Sequence, residues 1–187
     1  MSSNYGSFSG NPKTEWLSDP ARPDRDMKLL EDFSYTDPAG RKWPAPQGSI
    51  VNGASIPRPL WSTVGSPYTD DYRSASVVHD IAVDDPAVNR KEADKMFYYA
   101  CLAGGCSLKQ ASLLYVGVRI GSWASGVKKW SQLFTKEKML FRLPGQKTDE
   151  EAEMLGVFDT LFRAVAPVAE TMTFDQLEKM VDSVIGK

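Results

Sequence analysis

Only one histidine, His79, occurs among the 187 residues, and cysteine occurs twice. Cys101 and Cys106 lie five apart around Gly104-Gly105, a spacing that builds neither a disulfide framework nor a zinc pair, so both read as small, buried, reduced side chains. No excess of positive charge is present either. With a formal net charge of −2 and a pI near 5.5, the chain lacks the phosphate-neutralising Lys and Arg field that non-specific nucleic-acid binding requires. The start, MSSNYGSFSGNPKTEW, carries no apolar run and no basic flank, and no secretory signal is expected from it. The most apolar stretch, Ala111 to Val127, is broken by Arg119 and several glycines and is too short to span a bilayer. Internal repeats and low-complexity tracts are also missing. These absences leave a reducing, cytoplasmic location as the expectation, and a chain long enough to bury a core.

What is present is organised in three parts. Residues 1–26, rich in Ser, Gly, Asn, Pro and Asp, read as a loosely held arm that Trp16 and Leu17 can anchor. Residues 27–125 read as the core domain, and 126–187 as a helical extension. The core opens with MKLLEDFSYT, a turn at Asp37-Pro38-Ala39-Gly40, and RKWPAPQGSIV, which together predict a β-hairpin. Pro44 and Pro46 reduce its second strand to an edge or an irregular piece. The stretch 52–67, NGASIPRPLWSTVGSP, is too rich in Pro and Gly for a helix and is expected as a shaped loop.

Helical signals follow. Asp70 or Asp71 can cap a helix running to about Val83, and Asn89-Arg90-Lys91-Glu92 caps a second running to about Ala103. Ser107-Leu108-Lys109-Gln110 opens a third running to about Ile120, apolar on most faces and therefore expected to be buried. Thr148 and Thr173 cap two more, with Pro167 ending the first of them. Lys128 to Arg142 mixes basic residues with Trp130, Phe134 and Phe141. It reads as a partly exposed amphipathic segment or as a membrane- or partner-docking patch. The fold class is thus mainly α, with a small N-terminal β-hairpin, a helical hairpin, a buried third helix and a helical C-terminal tail.

The chemistry concentrates at His79-Asp80, where an otherwise apolar helix offers two ionisable groups. Burying such groups is costly unless they are paired, metal-bound or open to a cleft. The short 84–88 connection makes an antiparallel helical hairpin in which His79 and Asp94 stand at about the same level, and Asp94 interrupts the apolar stripe of Ala93, Phe97 and Ala100. A carboxylate on one imidazole nitrogen fixes the tautomer and leaves the other nitrogen as a base. A core histidine satisfied by one carboxylate has the same pattern. Asp80, about 100° further round the helix, suits a hard cation such as Ca²⁺, with Asn52 and the carbonyls of the Asn52-Gly53-Ala54-Ser55 loop as further oxygen ligands. Ser55 is the one hydroxyl in that loop able to serve as a nucleophile, although turn hydroxyls more often bond the backbone.

Three stretches carry a resemblance: Gly53-Ala54-Ser55-Ile56-Pro57-Arg58-Pro59-Leu60-Trp61, Ala75-Ser76-Val77-Val78-His79-Asp80, and Asn89 through Phe97. Continued by Leu113 through Arg119, they resemble domain of unknown function 1353, a family of bacteriophages and bacteria, over residues 27–125. The same order, loop then His-Asp helix then Arg90-x-x-x-Asp94-x-x-Phe97, is distantly similar to secreted bacterial and fungal phospholipases A2. That likeness implies His79 as general base, Asp94 as its orienting partner, and Asn52 and Asp80 as calcium ligands. The chain departs from it where Asn52 replaces the loop aspartate, Ala54 a disulfide cysteine, and Val83 the tyrosine four residues after the histidine.

Three functions follow as expectations. A calcium-assisted ester hydrolase acting on phospholipid or a related ester predicts an open groove beside His79 and a cation near Asp80. A non-catalytic virion, assembly or host-directed binding protein, cytoplasmic in the bacterial host or virion-associated, predicts a closed, fully paired His79. It also predicts an apolar surface around Trp123, Trp130 and Phe134, against which a phage or host partner would dock. A metal-independent hydrolase requires Ser55 within hydrogen-bond reach of His79.

Overall fold

A computed structural model describes residues 4–18, 26–54, 56–57, 60, 63, 70–126 and 149–186. They fall into two compact units, one within Met1–Ala54 and Ser66–Ala111, the other within Ser55–Gly65 and Ser112–Lys187.

The first unit holds two three-stranded antiparallel sheets and a helical hairpin. Strands β1 (Ser7–Phe8), β4 (Phe33–Thr36) and β5 (Lys42–Ala45) form one sheet in the order β1-β4-β5. Strands β2 (Thr14–Trp16), β3 (Met27–Leu29) and β6 (Ile50–Val51) form the other in the order β2-β3-β6. The expected hairpin is therefore present only as β4-turn-β5. Asp37 shapes its turn: Oδ1 accepts the N–H of Ala39 and of Arg41, each at 2.9 Å, and Oδ2 accepts the indole N–H of Trp43 at 3.0 Å. Pro44 sits in β5, an edge strand, as a residue without an N–H should.

The run 27–36, read as one strand, breaks at Leu30–Asp32, three consecutive exposed residues, and its halves go to different sheets. The segment read as a loose arm supplies β1 and β2. Ser7 pairs with Thr36 and Phe8 with Tyr35, while Thr14 to Trp16 pair with Leu29 to Met27. The Tyr35 hydroxyl donates to the Tyr5 carbonyl. Gly6 is required there, because a Cβ would lie 2.2 Å from the Thr36 carbonyl oxygen. Sequence composition missed these strands because each is only two or three residues long and gains its order from the partner strand.

A 3₁₀ turn (Asp70–Tyr72) leads into α1 (Arg73–Asp84), so Asp70 and Asp71 lie in that turn and the N-cap is Tyr72, with no side-chain cap. Asn89 does cap α2 (Arg90–Gly104): its side chain accepts from the N–H of Lys91 and Glu92. Gly105, at φ +110°, closes the helix in the left-handed region, with its N–H on the carbonyl of Leu102. α1 packs along α2 and against β4, β5 and β6.

In the second unit, α3 (Leu108–Gly126, assigned to this unit from Ser112) runs six residues beyond its expected end and is buried on nearly all sides. The Ser107 hydroxyl caps it through the N–H of Gln110. α4 (Asp149–Val165) stops just before Pro167, and α5 (Phe174–Ile185) begins with a complete Thr173–Gln176 capping box. Tyr115 of α3 meets Phe174 of α5 edge to face, and Arg119 reaches Asp182 at 2.9 Å. Among the described residues, no helix is long and apolar enough to cross a membrane. The mainly α character holds, with more sheet than the sequence indicated.

Candidate functional site

The helical hairpin brings His79 of α1 and Asp94 of α2 together: Nε2 lies 2.8 Å from Asp94 Oδ1, and both side chains are 0% exposed. Both residues follow from local geometry. α1 is held by its apolar face, Ala75, Val77, Val78 and Ala82 all being buried, and the 85–88 turn reverses the chain within reach. Phe97, one turn beyond Asp94, packs on the imidazole with ring centroids 4.8 Å apart. With the carboxylate accepting from Nε2–H, Nδ1 carries the free lone pair of the neutral ring. Nδ1 is buried and has no hydrogen-bond partner among the described residues. The site is thus closed to solvent, and the ring is hydrogen-bonded through Nε2 alone among the described residues.

One turn before His79, Ser76 is also 0% exposed, and its Oγ is likewise buried without a partner. Sequence reading passed over Ser76 as part of an apolar helix; its i, i+3 spacing to the only histidine was the available signal.

Asp80 sits beside the dyad with 7% exposure. Its Oδ2 accepts the backbone N–H of Asn52 at 2.5 Å and of Gly53 at 3.3 Å. Gly53, at φ +96°, adopts a backbone conformation that a side chain would strain, in the loop where these two amides converge on one oxygen. Burial pushes the Asp80 carboxyl up to about 6; Asp84 adds to the rise, while the two amides and His79 oppose it. The Asn52 residue itself is exposed.

Of the expected calcium ligands, Asp80 and the Asn52-Gly53 backbone are neighbours here, joined by hydrogen bonds to Asp80 Oδ2. Calcium takes six to eight oxygen ligands, whereas the loop turns N–H donors, not carbonyls, onto Asp80. Among the described residues, no three His, Cys, Asp or Glu side chains gather around one point. Asp80 acts here as a clamp on the loop. Ser55, the Lys128 to Arg142 segment with Trp130 and Phe134, and the expected cap Thr148 lie outside the described residues; Trp123 is partly exposed near the end of α3. Cys101 and Cys106 are free thiols, both buried, and burial beside Cys106 raises the Cys101 thiol.

A separate cavity of about 310 Å³ opens where the β4-β5 turn meets α2, lined by Trp43, Arg41, Glu92, Lys95, Tyr99 and their neighbours. Arg41 lies over the Trp43 ring, 3.9 Å from its centroid, and pairs with Glu92 at 2.9 Å. Neither His79 nor Asp94 lines it, so it gives no access to the dyad.

Residues 27–118, which hold Asn52, Ser76, His79, Asp80 and Asp94, match the family described as "Protein of unknown function (DUF1353)". A relative, "Uncharacterized protein y4iH" of Sinorhizobium fredii, is 30% identical over 176 residues, covering 88% of this chain and 74% of that protein. The chain belongs to the DUF1353 family. Another relative, "Uncharacterized protein y4jT" of the same organism, is 37% identical over 114 residues, covering 61% of this chain but 33% of that longer protein. No solved structure matches this DUF1353 chain.

Proposed function

We propose that this DUF1353 protein is a hydrolase in which His79 is the general base and Asp94 its orienting partner, acting on an ester substrate. The observation that carries the reading is the asymmetry of the imidazole: Nε2 is bound by a fully buried carboxylate while Nδ1 is buried with no partner among the described residues. A histidine placed only for packing or pairing gains nothing from a desolvated, unpaired nitrogen, which costs about 1–3 kcal/mol. The same nitrogen, held as the free base of a fixed tautomer, can take a proton from water. Phospholipid is the substrate class indicated by the distant likeness of the Asn52-Gly53, His79-Asp80 and Arg90–Phe97 order to phospholipases A2. No step is assigned to calcium, because Asp80 is engaged by loop amides.

The test is fatty-acid release from mixed phospholipid vesicles, with calcium and with chelator, by the native chain, His79→Ala and Asp94→Asn. Native release that falls by about 10²–10⁴ in His79→Ala is the expected result, and equal rates with chelator are expected from the Asp80 clamp. Asp94→Asn should also be inactive while folded, since an amide donor on Nε2 imposes the other tautomer. No release by any form over a broad lipid and ester panel overturns the reading.

The complete burial of His79 favours a second reading. In it the scaffold serves a non-catalytic virion, assembly or host-directed binding role. Its signature is a His79→Gln variant that loses stability and no measurable chemistry.

A further inference from the structure

We propose that Ser76 and His79 together hold one internal water molecule, and that Ser76 is a positioning residue for that water. The two atoms in question, Ser76 Oγ and His79 Nδ1, are both buried and both without a hydrogen-bond partner among the described residues. Both side chains are 0% exposed, so bulk solvent does not satisfy them. They belong to one helix at positions i and i+3, whose Cβ atoms lie roughly 5–6 Å apart on one face. A single water with two hydrogen bonds of about 2.8 Å spans such a gap.

Two polar partners are the minimum an internal water needs, and this pair supplies one of each kind. Nδ1 of the neutral ring accepts, because Nε2–H is committed to Asp94. The Ser76 hydroxyl donates to the water or accepts from it, as its rotor allows. The resulting chain runs Asp94, His79, water, Ser76, entirely inside the hairpin, with Phe97 closing one face of the ring. It places a water oxygen beside the free lone pair of Nδ1. The water site stands on the two unpaired atoms; its use as the attacking nucleophile rests on the hydrolase reading above.

Because His79 is the only histidine, its ring ¹⁵N resonances are identified without assignment work. The experiment compares the full-length native chain, Ser76→Ala and Ser76→Thr by high-resolution crystallography and ¹⁵N NMR. The expected result is a density peak within about 3.2 Å of both atoms that disappears in Ser76→Ala. The Nδ1 resonance should shift in Ser76→Ala, stay near native in Ser76→Thr, and leave Nε2 unmoved in both. In the vesicle assay Ser76→Ala should lower kcat about fivefold, the worth of one ordinary hydrogen bond, with KM unchanged. A dry site overturns the proposal, with Ser76 Oγ turned back onto the Tyr72 carbonyl and Nδ1 unmoved by Ser76→Ala. A water peak and a shifted Nδ1 in a chain that hydrolyses nothing would uphold the water site and sink the hydrolase reading. Hydrolysis without the peak, unchanged in Ser76→Ala, would do the reverse.

Discussion

Asp80 shows how burial and two loop amides set the state of a single carboxylate. Beside His79 and downstream of the Asn52-Gly53 loop, it reads in the sequence as a cation ligand. In the fold, its oxygen is occupied by the amides of Asn52 and Gly53. The consequence is measurable as pH dependence. Its carboxyl rises from 3.8 to about 6 on folding, so the folded chain holds the Asp80 proton more tightly than the unfolded chain. That stabilisation is fully present below about 3.8 and is lost as pH rises through about 6. The contribution is on the order of 3 kcal/mol. Asp80→Asn keeps a carbonyl oxygen for the two amides and abolishes the titration. Denaturant unfolding between pH 4 and 7 should show a falling stability in the native chain and a flatter profile in Asp80→Asn. Identical profiles would refute the assignment of that slope to Asp80.

At the scale of elements, the hairpin that positions the dyad is locked at the far end of α2. Gly104 lies so close to the 3₁₀ turn that a Cβ there would meet the Asp71 carbonyl oxygen at 2.2 Å. The obstacle is backbone, so the turn must move. Gly104→Ala should therefore destabilise the chain by about 1–3 kcal/mol despite alanine's better helix propensity. Thermal unfolding compared with Gly156→Ala, where a Cβ meets nothing within 4 Å, separates the clash from propensity: the first variant falls while the second holds or gains. The helix caps at Asn89, Ser107 and Thr173 were legible because each is a local side-chain-to-amide bond. The two sheets were not, because strands of two to four residues acquire meaning only from partners far along the chain.

At the scale of the whole molecule, the second unit contains an ion pair nearly removed from water. The Arg119 and Asp182 side chains are 9% and 14% exposed and join α3 to α5. Removing the carboxylate takes this charge-assisted bond from a largely buried guanidinium, so Asp182→Ala should cost about 1–3 kcal/mol. Arg119→Met with Asp182→Leu should recover most of that loss, because replacing both charges by apolar groups removes the desolvation cost. Hydrogen exchange along α3, α4 and α5 checks both variants. Equal protection in Asp182→Ala and the native chain would show the pair to be energetically idle. The sequence marked Arg119 only as an interruption of an apolar helix; its partner, 63 residues away, was invisible.

The amino-acid sequence by itself determined what is local or periodic. It specified the helices, the caps at Asn89, Ser107 and Thr173, the buried third helix, the edge position of Pro44, and the approach of His79 to Asp94 across a short antiparallel turn. Each of these depends on a spacing of a few residues or on helical periodicity, which the order of side chains encodes directly. Only the tertiary structure decided the rest. It distributed one strand-like run between two sheets, placed the Asn52 and Gly53 amides on Asp80, and buried Nδ1 and Ser76 Oγ with no hydrogen-bond partner among the described residues. Those outcomes depend on which atoms face one another after packing, and burial sets the cost of every polar group left unpaired.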